Sequence, residues 1–456
     1  MDTGSETAAR YDIAGLLGEL GDVPVVTEMG IVRRKSRDFF WYSPILNKQL
    51  HGLSADVIVE PRNEADVVHT LAACFKRRIP VTPRGGATGN YGQAVPLQGG
   101  VLLDMNSIAH VEMTKPGVAK LGAGARMDHI DGKLRPLGWE LRQHPSTKRM
   151  ATIGGFVAGG GGGVGSVTWG GLRDGGNMIA ARVVTMEESP RILELRGDAA
   201  QKINRAYGTT GVITEVELPL AQGWPWVDAI VTFDDFFRAL EVGQDLALSD
   251  GIVKKLVSPI AWPIPQYFRD LRAWCPEGKS LLICMIAEPS MESFRTLTRL
   301  SGGTITVERP FDESAGKEPL YEYTWNHTTL QMLKVDRSIT YLQCLWPFDR
   351  LLETVRKVAD ELGDEYIHHL EFLRFGGRMA ASSLPIIRYT TPERLNEIIA
   401  IHEANGVSIA NPHVYTLEEG SRHKRIDADQ LGFKHEVDPL GLLNPGKMRD
   451  FVVKSR

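Results

Sequence analysis

The sequence predicts an α+β protein in which a domain built around two glycine-rich loops carries a duplicated ferredoxin-like α/β cap. Three observations predict it. Glycine clusters twice, at residues 83–90 and 152–171, and ten of the eighteen residues from 154 to 171 are glycine. A strand–helix–strand pattern runs directly into the first cluster. Beyond residue 220 the order strand–helix–strand–strand–helix–strand occurs twice, which is the order of a ferredoxin-like unit in tandem.

Residues 1–52 read as an N-terminal segment with a helix at 13–20 and a basic-aromatic run, RRKSRDFFWYSP, at 33–44. That run is read as a surface turn whose aromatics tuck into the core. The domain at 53–223 opens with a strand at 56–60. Asn63 then caps a helix with Asp66 in its first turn and Val67, Val68, Leu71, Cys74 and Phe75 on one face. The next strand, 79–82, enters the first glycine loop. A unit of this length implies a parallel, buried crossover. Short strands follow at 101–105, 110–113 and 118–121, then a helix through Leu134, the second glycine system, and strands at 183–186 and 212–218. The cap, 224–430, takes strands at 226–233, 253–258, 281–286 and 304–308 with helices at 236–248 and 291–300. It then repeats the order with strands at 339–345, 367–372, 382–389 and 407–409 and helices at 350–362 and 392–405. Residues 431–456 read as a fold-back onto the first domain.

The glycine loops set the chemistry. Glycine lets a backbone approach another group closely, and successive free N–H groups form anion-binding nests. Thr152, Ile153, Phe156, Val157 and Val164 punctuate the second run, which a flexible linker would not require. No Gly-Lys-Ser/Thr follows either loop, and no GxGxxG stands between a strand and a helix with an acid downstream. The loops therefore suit a bulky diphosphate ligand held in a manner unlike a P-loop or a Rossmann turn.

PRGGATG (83–89), TIGGFVAGGGGG (152–163) and YGTTGVITEVELPL (207–220) resemble the two-lobed, PCMH-type FAD-binding domain of the vanillyl-alcohol oxidase-like flavoproteins. VIVEPRNEADV (57–67) is similar to that family's opening strand and helix cap. DPLGLLNPGKM (438–448) resembles the carboxy-terminal signature of its 2-hydroxyacid branch, which includes D-lactate dehydrogenases and the glycolate oxidase flavoprotein subunit. The resemblance implies FAD. Its matching positions are Pro83, Arg84, Gly85, Gly86, Ala87, Thr88, Gly89 and Asn90 in the first loop. Pro145, Ser146, Thr152, Ile153, Gly154, Gly155, Ala158, Gly159, Gly160 and Gly165 follow around the second, with Ile213 and Asn444 further on. Many relatives link flavin through histidine or cysteine; Ala87 stands where the linking histidine would be and no cysteine lies nearby in the sequence, so non-covalent attachment is expected.

Such a protein takes a hydride from a CH–OH substrate, and the branch points to a 2-hydroxy acid. An aromatic or sugar-like alcohol, or a non-catalytic electron-relay subunit, are the alternatives. Removing hydride from an alcohol calls for a group to take the hydroxyl proton, a task suited to histidine. His413 matches the relatives' flavin-side histidine, although Pro412 replaces the glutamate before it. Asn326 and His327 fall where the family carries a carboxylate-holding arginine, and Tyr341 is a candidate phenol donor. Arg374 and Arg378 are candidates for gripping a substrate carboxylate. The relatives' GDGNxH metal motif is missing, and adjacent His368 and His369 on a strand would point to opposite faces. No metal is therefore expected.

A net charge of −4 gives no footprint for nucleic acid. Four scattered cysteines without a CxxC pair fit a reducing, cytoplasmic setting. The acid-bearing start MDTGSETAARYD is not a secretory signal, and no apolar stretch reaches membrane-spanning length, so membrane contact would be peripheral. The expected partners are a small-molecule substrate and an electron acceptor, with oxygen, a quinone and a redox protein all open. A homodimer also stays open.

Overall fold

The computed structural model describes residues 10–313, 318–419, 426 and 428–453. Residues 1–9 of the amino-terminal stretch and Gly420, at the end of the segment containing His413, lie outside the described residues.

The first lobe is a four-stranded sheet in the order Val25–Val26, Val57–Val59, Val101–Asp104, Val81–Arg84. The last two pairings are parallel. Asn63 caps the helix Glu64–Lys76, and its side chain accepts the Asp66 amide at 2.9 Å. Val67, Leu71 and Cys74 of that helix are fully buried against the sheet, as the apolar stripe requires. The carboxy-terminal fold-back extends the sheet: Leu443 bridges Val81 in parallel, and the Val81 amide donates to the Leu442 carbonyl at 2.8 Å.

The second lobe is antiparallel, in the order Val111–Lys115, Val118–Gly122, Val212–Gln222, Ala180–Val184, Ile192–Arg196. Trp139–Leu141 pairs with the far end of Val212–Gln222. The strand Ile192–Arg196 is absent from the sequence reading, because its alternation places only Leu195 in the core.

In the cap, the first unit has strand order Lys254–Ile260, Ser280–Ala287, Trp226–Phe233, Thr304–Pro310, all antiparallel. Numbered along the chain this is 2-3-1-4, the ferredoxin-like arrangement. The second unit departs from the sequence reading. Its three long strands are each broken into two. Ile339–Tyr341 and Cys344–Trp346 are separated by Leu342 and Gln343, Tyr366–Ile367 and Leu370–Phe375 by His368 and His369, and Arg378–Ser383 and Ile386–Arg388 by Leu384 and Pro385. Pro385 has no N–H for its ladder. The amide of Ala261 and that of Leu384 are met by the carbonyls of His368 and His369. The pieces form a three-stranded and a four-stranded sheet meeting at a crease. Rejoined, they give the same 2-3-1-4 order. An isolated bridge, Ile260 to His369, joins the two units edge to edge.

Candidate active site

The two glycine systems lie on one cavity of about 350 Å³ at the junction of the lobes and the cap. The second system is a helix where the sequence suggests a loop. Thr152 caps Ile153–Gly159, accepting the Gly155 amide at 3.3 Å. Gly154, Gly155, Ala158 and Gly159 face the cavity, while Ile153 and Val157, four apart, are buried in the second-lobe core. Glycine's poor helix propensity hid this element. The two glycine systems meet closely. A Cβ on Gly85 would overlap the Thr152 hydroxyl, and one on Gly86 would overlap the Met150 carbonyl oxygen.

Of the residues singled out for the cofactor, Pro83 through Asn90, Pro145, Ser146, Thr152, Gly154, Gly155, Ala158, Gly159, Gly160 and Ile213 line the cavity. Three do not. Ile153 is turned into the core. Gly165, at φ +101, lies against the Arg142 carbonyl and gives its amide to Lys255 of the cap at 2.7 Å. Asn444 is fully buried behind the wall, where its amide nitrogen donates to the carbonyls of Gln93 and Tyr207 at 2.8 and 2.7 Å. It ties two lining segments together. Asp38 and Lys447 brace the same place. Asp38 lines the cavity, accepts the amides of Phe40 and Ala94, and is pushed up to about 6 by burial. Lys447 donates to the Gly92 carbonyl at 2.5 Å and is lowered to about 7 by burial.

The cap contributes Trp325, Asn326, Gln343, Leu373, Ser382, Leu384 and Ala410. Asn326 lies where the sequence reading puts it. Trp325 before it holds a left-handed φ of 53°, and its amide donates to the buried Glu371 at 2.7 Å. Glu371 also accepts from Ser258 at 3.0 Å and faces His369 at 2.9 Å. The Trp325 indole nitrogen and the Asn326 carbonyl oxygen are buried without a partner, so polar capacity is available at the cap side of the cavity.

The other cap candidates lie elsewhere. His413 is 3 % exposed, with Nδ1 2.7 Å from the Ser43 hydroxyl and Nε2 2.9 Å from the Tyr341 carbonyl. Nε2 must donate to that carbonyl; with burial keeping the ring neutral at pH 7, Nδ1 accepts from Ser43, and the ring joins the N-terminal segment to the cap. His327 points to Glu322, Nδ1 to Oε2 2.7 Å. Tyr341 is fully buried beside Tyr42 and His413, with its phenol well above the usual range through burial. Arg374 pairs with Asp250 at 2.6 Å, and Arg378 is exposed at the end of a hairpin. His368 stacks on Phe236 at 5.3 Å and is lowered to about 3 by burial. Because the pair sits in the crease, the alternating-face picture for His368 and His369 does not apply. Among the described residues no group of three or more His, Cys, Asp or Glu could hold a metal ion.

Burial lowers His413 to about 4, against about 6.5 for an unperturbed imidazole. Between these values the unfolded chain binds more protons. The stability from a neutral His413 is therefore present above pH ~6.5 and is lost as pH falls through about 4. Its expected size is at most about 3 kcal/mol. His413→Gln should make thermal stability less pH-dependent over that window than in the wild type; parallel slopes would show that His413 titrates normally.

Cradle and cap together form one cavity suited to a large nucleotide cofactor, as in a flavin-dependent enzyme. Residues 55–190 match the FAD binding domain family. The chain is 34% identical over 433 residues to the D-lactate dehydrogenase of Archaeoglobus fulgidus, covering 86% of this chain and 91% of that one. It is 29% identical over 441 residues to the mitochondrial D-2-hydroxyglutarate dehydrogenase of Bos taurus, covering 87% and 77%. A solved alkyldihydroxyacetonephosphate synthase superposes with a TM-score of 0.65 at 16% identity, over 87% of this chain and 76% of its own. The chain belongs to the FAD-dependent oxidoreductases of the vanillyl-alcohol oxidase-like superfamily.

The residues present fit FAD. Among the described residues, no protein acceptor takes the backbone amides from Gly85 to Asn90. Six unpaired N–H groups in a row on the cavity wall, beside the left-handed Ala87 at φ 49°, are the kind of backbone from which diphosphate-binding nests are built. The sequence reading passed over Arg205, Tyr207, Gly208, Gln343 and Ser382 as lining residues. Tyr207 and Gly208 stand inside the YGTTG block, which was the available signal. Nothing local marks Gln343 or Ser382, which arrive through the crease and the sheet.

Proposed function

We propose that the protein oxidises the CH–OH group of a 2-hydroxy acid. The observation that carries this is the convergence of an amide-lined cradle and polar cap residues on one cavity, in a chain whose relatives include a D-lactate dehydrogenase. Bound FAD would supply the hydride acceptor, and the protein supplies position and electrostatics. Amides 85–90 hold the diphosphate, and the small faces of Ile153–Gly159 let the cofactor lie close to the backbone. Asn326, Gln343 and Ser382 orient the substrate from the cap. Non-covalent attachment is supported by a lining that contains no histidine or cysteine.

No helix of the described residues is long and apolar enough to cross a membrane. The four cysteines are free and buried, which supports a reducing cytoplasmic setting. The uncharged cap lining favours a second reading, oxidation of an aromatic or sugar-like alcohol. One experiment decides between them. The purified protein should be yellow, release all its colour on acid precipitation, and bleach anaerobically with D-lactate or a related 2-hydroxy acid. Bleaching by neutral alcohols alone would select the second reading, and a coloured acid pellet would show a covalent link.

A further inference from the structure

A carboxylate entering beneath the cap meets no cation among the described cap residues that line the cavity. Among the described residues, two arginines line the cavity, Arg84 and Arg205. Arg84 is engaged: it donates to the carbonyls of Lys35 and Gly85 at 2.8 and 3.0 Å and lies 3.7 Å from Asp104. Arg205 differs in three respects. Among the described residues it has no carboxylate partner; its guanidinium reaches the Tyr207 hydroxyl instead. Its backbone holds a left-handed φ of 55°, a conformation that disfavours any residue with a Cβ. It also stands where cradle and cap meet. Its amide donates to Val157 at 3.1 Å, and its Cα and Cβ pack beneath Gly160. Two residues on, a Cβ at Gly162 would lie 3.4 Å from Trp325 and 3.6 Å from Leu373 of the cap. Tyr91 lines the same cavity.

Asp38, the acid on the same wall, is taken up by the amides of Phe40 and Ala94. A strained cation that forms no ion pair among the described residues, on the wall of a cofactor cavity, is kept for an anion that the folded chain does not supply. We propose that Arg205 is that anchor and that it grips the carboxylate of the substrate. This rests on the 2-hydroxy acid reading. The planar guanidinium offers two parallel N–H donors, the geometry a carboxylate accepts. The neutral Asn326, Gln343 and Ser382 are left for the rest of the substrate. An oxyanion of the cofactor diphosphate offers the same chemistry, so the test separates the two.

Arg205→Gly removes the cation and also suits the left-handed backbone, so the variant should fold at least as well as the wild type. Arg205→Lys keeps the charge without the fork. FAD content and apoprotein titration with FAD form one arm. Anaerobic reduction by D-lactate and titration of the holoenzyme with oxalate, read by the flavin absorbance, form the other. Arg205→Gly should retain FAD, should raise the oxalate Kd and the half-saturating substrate concentration about 100-fold, and should be partly rescued by Arg205→Lys. Loss of FAD with unchanged oxalate affinity would give the cation to the diphosphate and overturn the proposal, as would unchanged behaviour in both arms. If no hydroxy acid bleaches the wild type but oxalate binds it and not Arg205→Gly, the anchor stands and the substrate reading falls.

Discussion

Gly86→Ala is expected to yield a protein that purifies nearly colourless. The added methyl would overlap the Met150 carbonyl oxygen. That atom belongs to backbone just before the Thr152 cap, so it cannot swing away as a flexible side chain would. The strain must move either the first loop or the start of Ile153–Gly159, and each carries part of the cavity wall. Amides 85–90 are then displaced from their places on the cavity wall. A loss of about 100-fold in FAD affinity is expected, roughly 3 kcal/mol. Gly132→Ala is the control, because Gly132 is exposed on the helix Met127–Leu134 and nothing lies within 4 Å of its added carbon. The flavin-to-protein absorbance ratio reads both. A Gly86→Ala protein with a full complement of FAD would mean that the two glycine systems do not depend on each other.

Glu140→Ala should be the most destabilising change at the boundary between second lobe and cap. Glu140 is 1 % exposed on the strand Trp139–Leu141. It accepts from Lys255 of the cap at 2.6 Å and from the Trp226 indole at 3.0 Å, and it also pairs with Arg135. Removing it leaves Lys255 charged and almost fully enclosed. The expected cost is about 3–5 kcal/mol, because the Lys255 charge loses its counter-ion while still shut away from water. Glu140→Leu combined with Lys255→Met should recover much of that loss, since two apolar groups need no partner. Denaturant unfolding of the FAD-bound forms measures both. Equal instability of single and double variants would show that packing, not charge pairing, holds the boundary.

Local patterns revealed the frame of this protein well. Asn63, Asp66 and the apolar stripe marked the helix Glu64–Lys76 to within its cap, and the glycine clusters marked the cavity wall. What stayed hidden depended on contacts across the chain. His413 has the residue type and neighbourhood of a base, yet Ser43, 370 positions away, and the Tyr341 carbonyl occupy both of its nitrogens. No pattern around residue 413 reports Ser43. Asn326 and His327 are adjacent, but a helix sends them in different directions: one to the cavity, the other to Glu322. Arg374 and Arg378 looked like anion binders because charge is visible in a sequence and an exposed hairpin is not. Arg205 lacked any such mark, since what singles it out is a backbone angle and, among the described residues, the lack of an ion pair.

The crease in the cap has a consequence for how this scaffold diversifies. Gln343 and Leu384 reach the cavity from positions that belong to neither flanking strand. Exchanging their side chains leaves the regular inter-strand pairing on either side intact. A lineage can therefore retune which molecule it accepts by changing residues along this fold line, while the surrounding architecture is inherited unaltered.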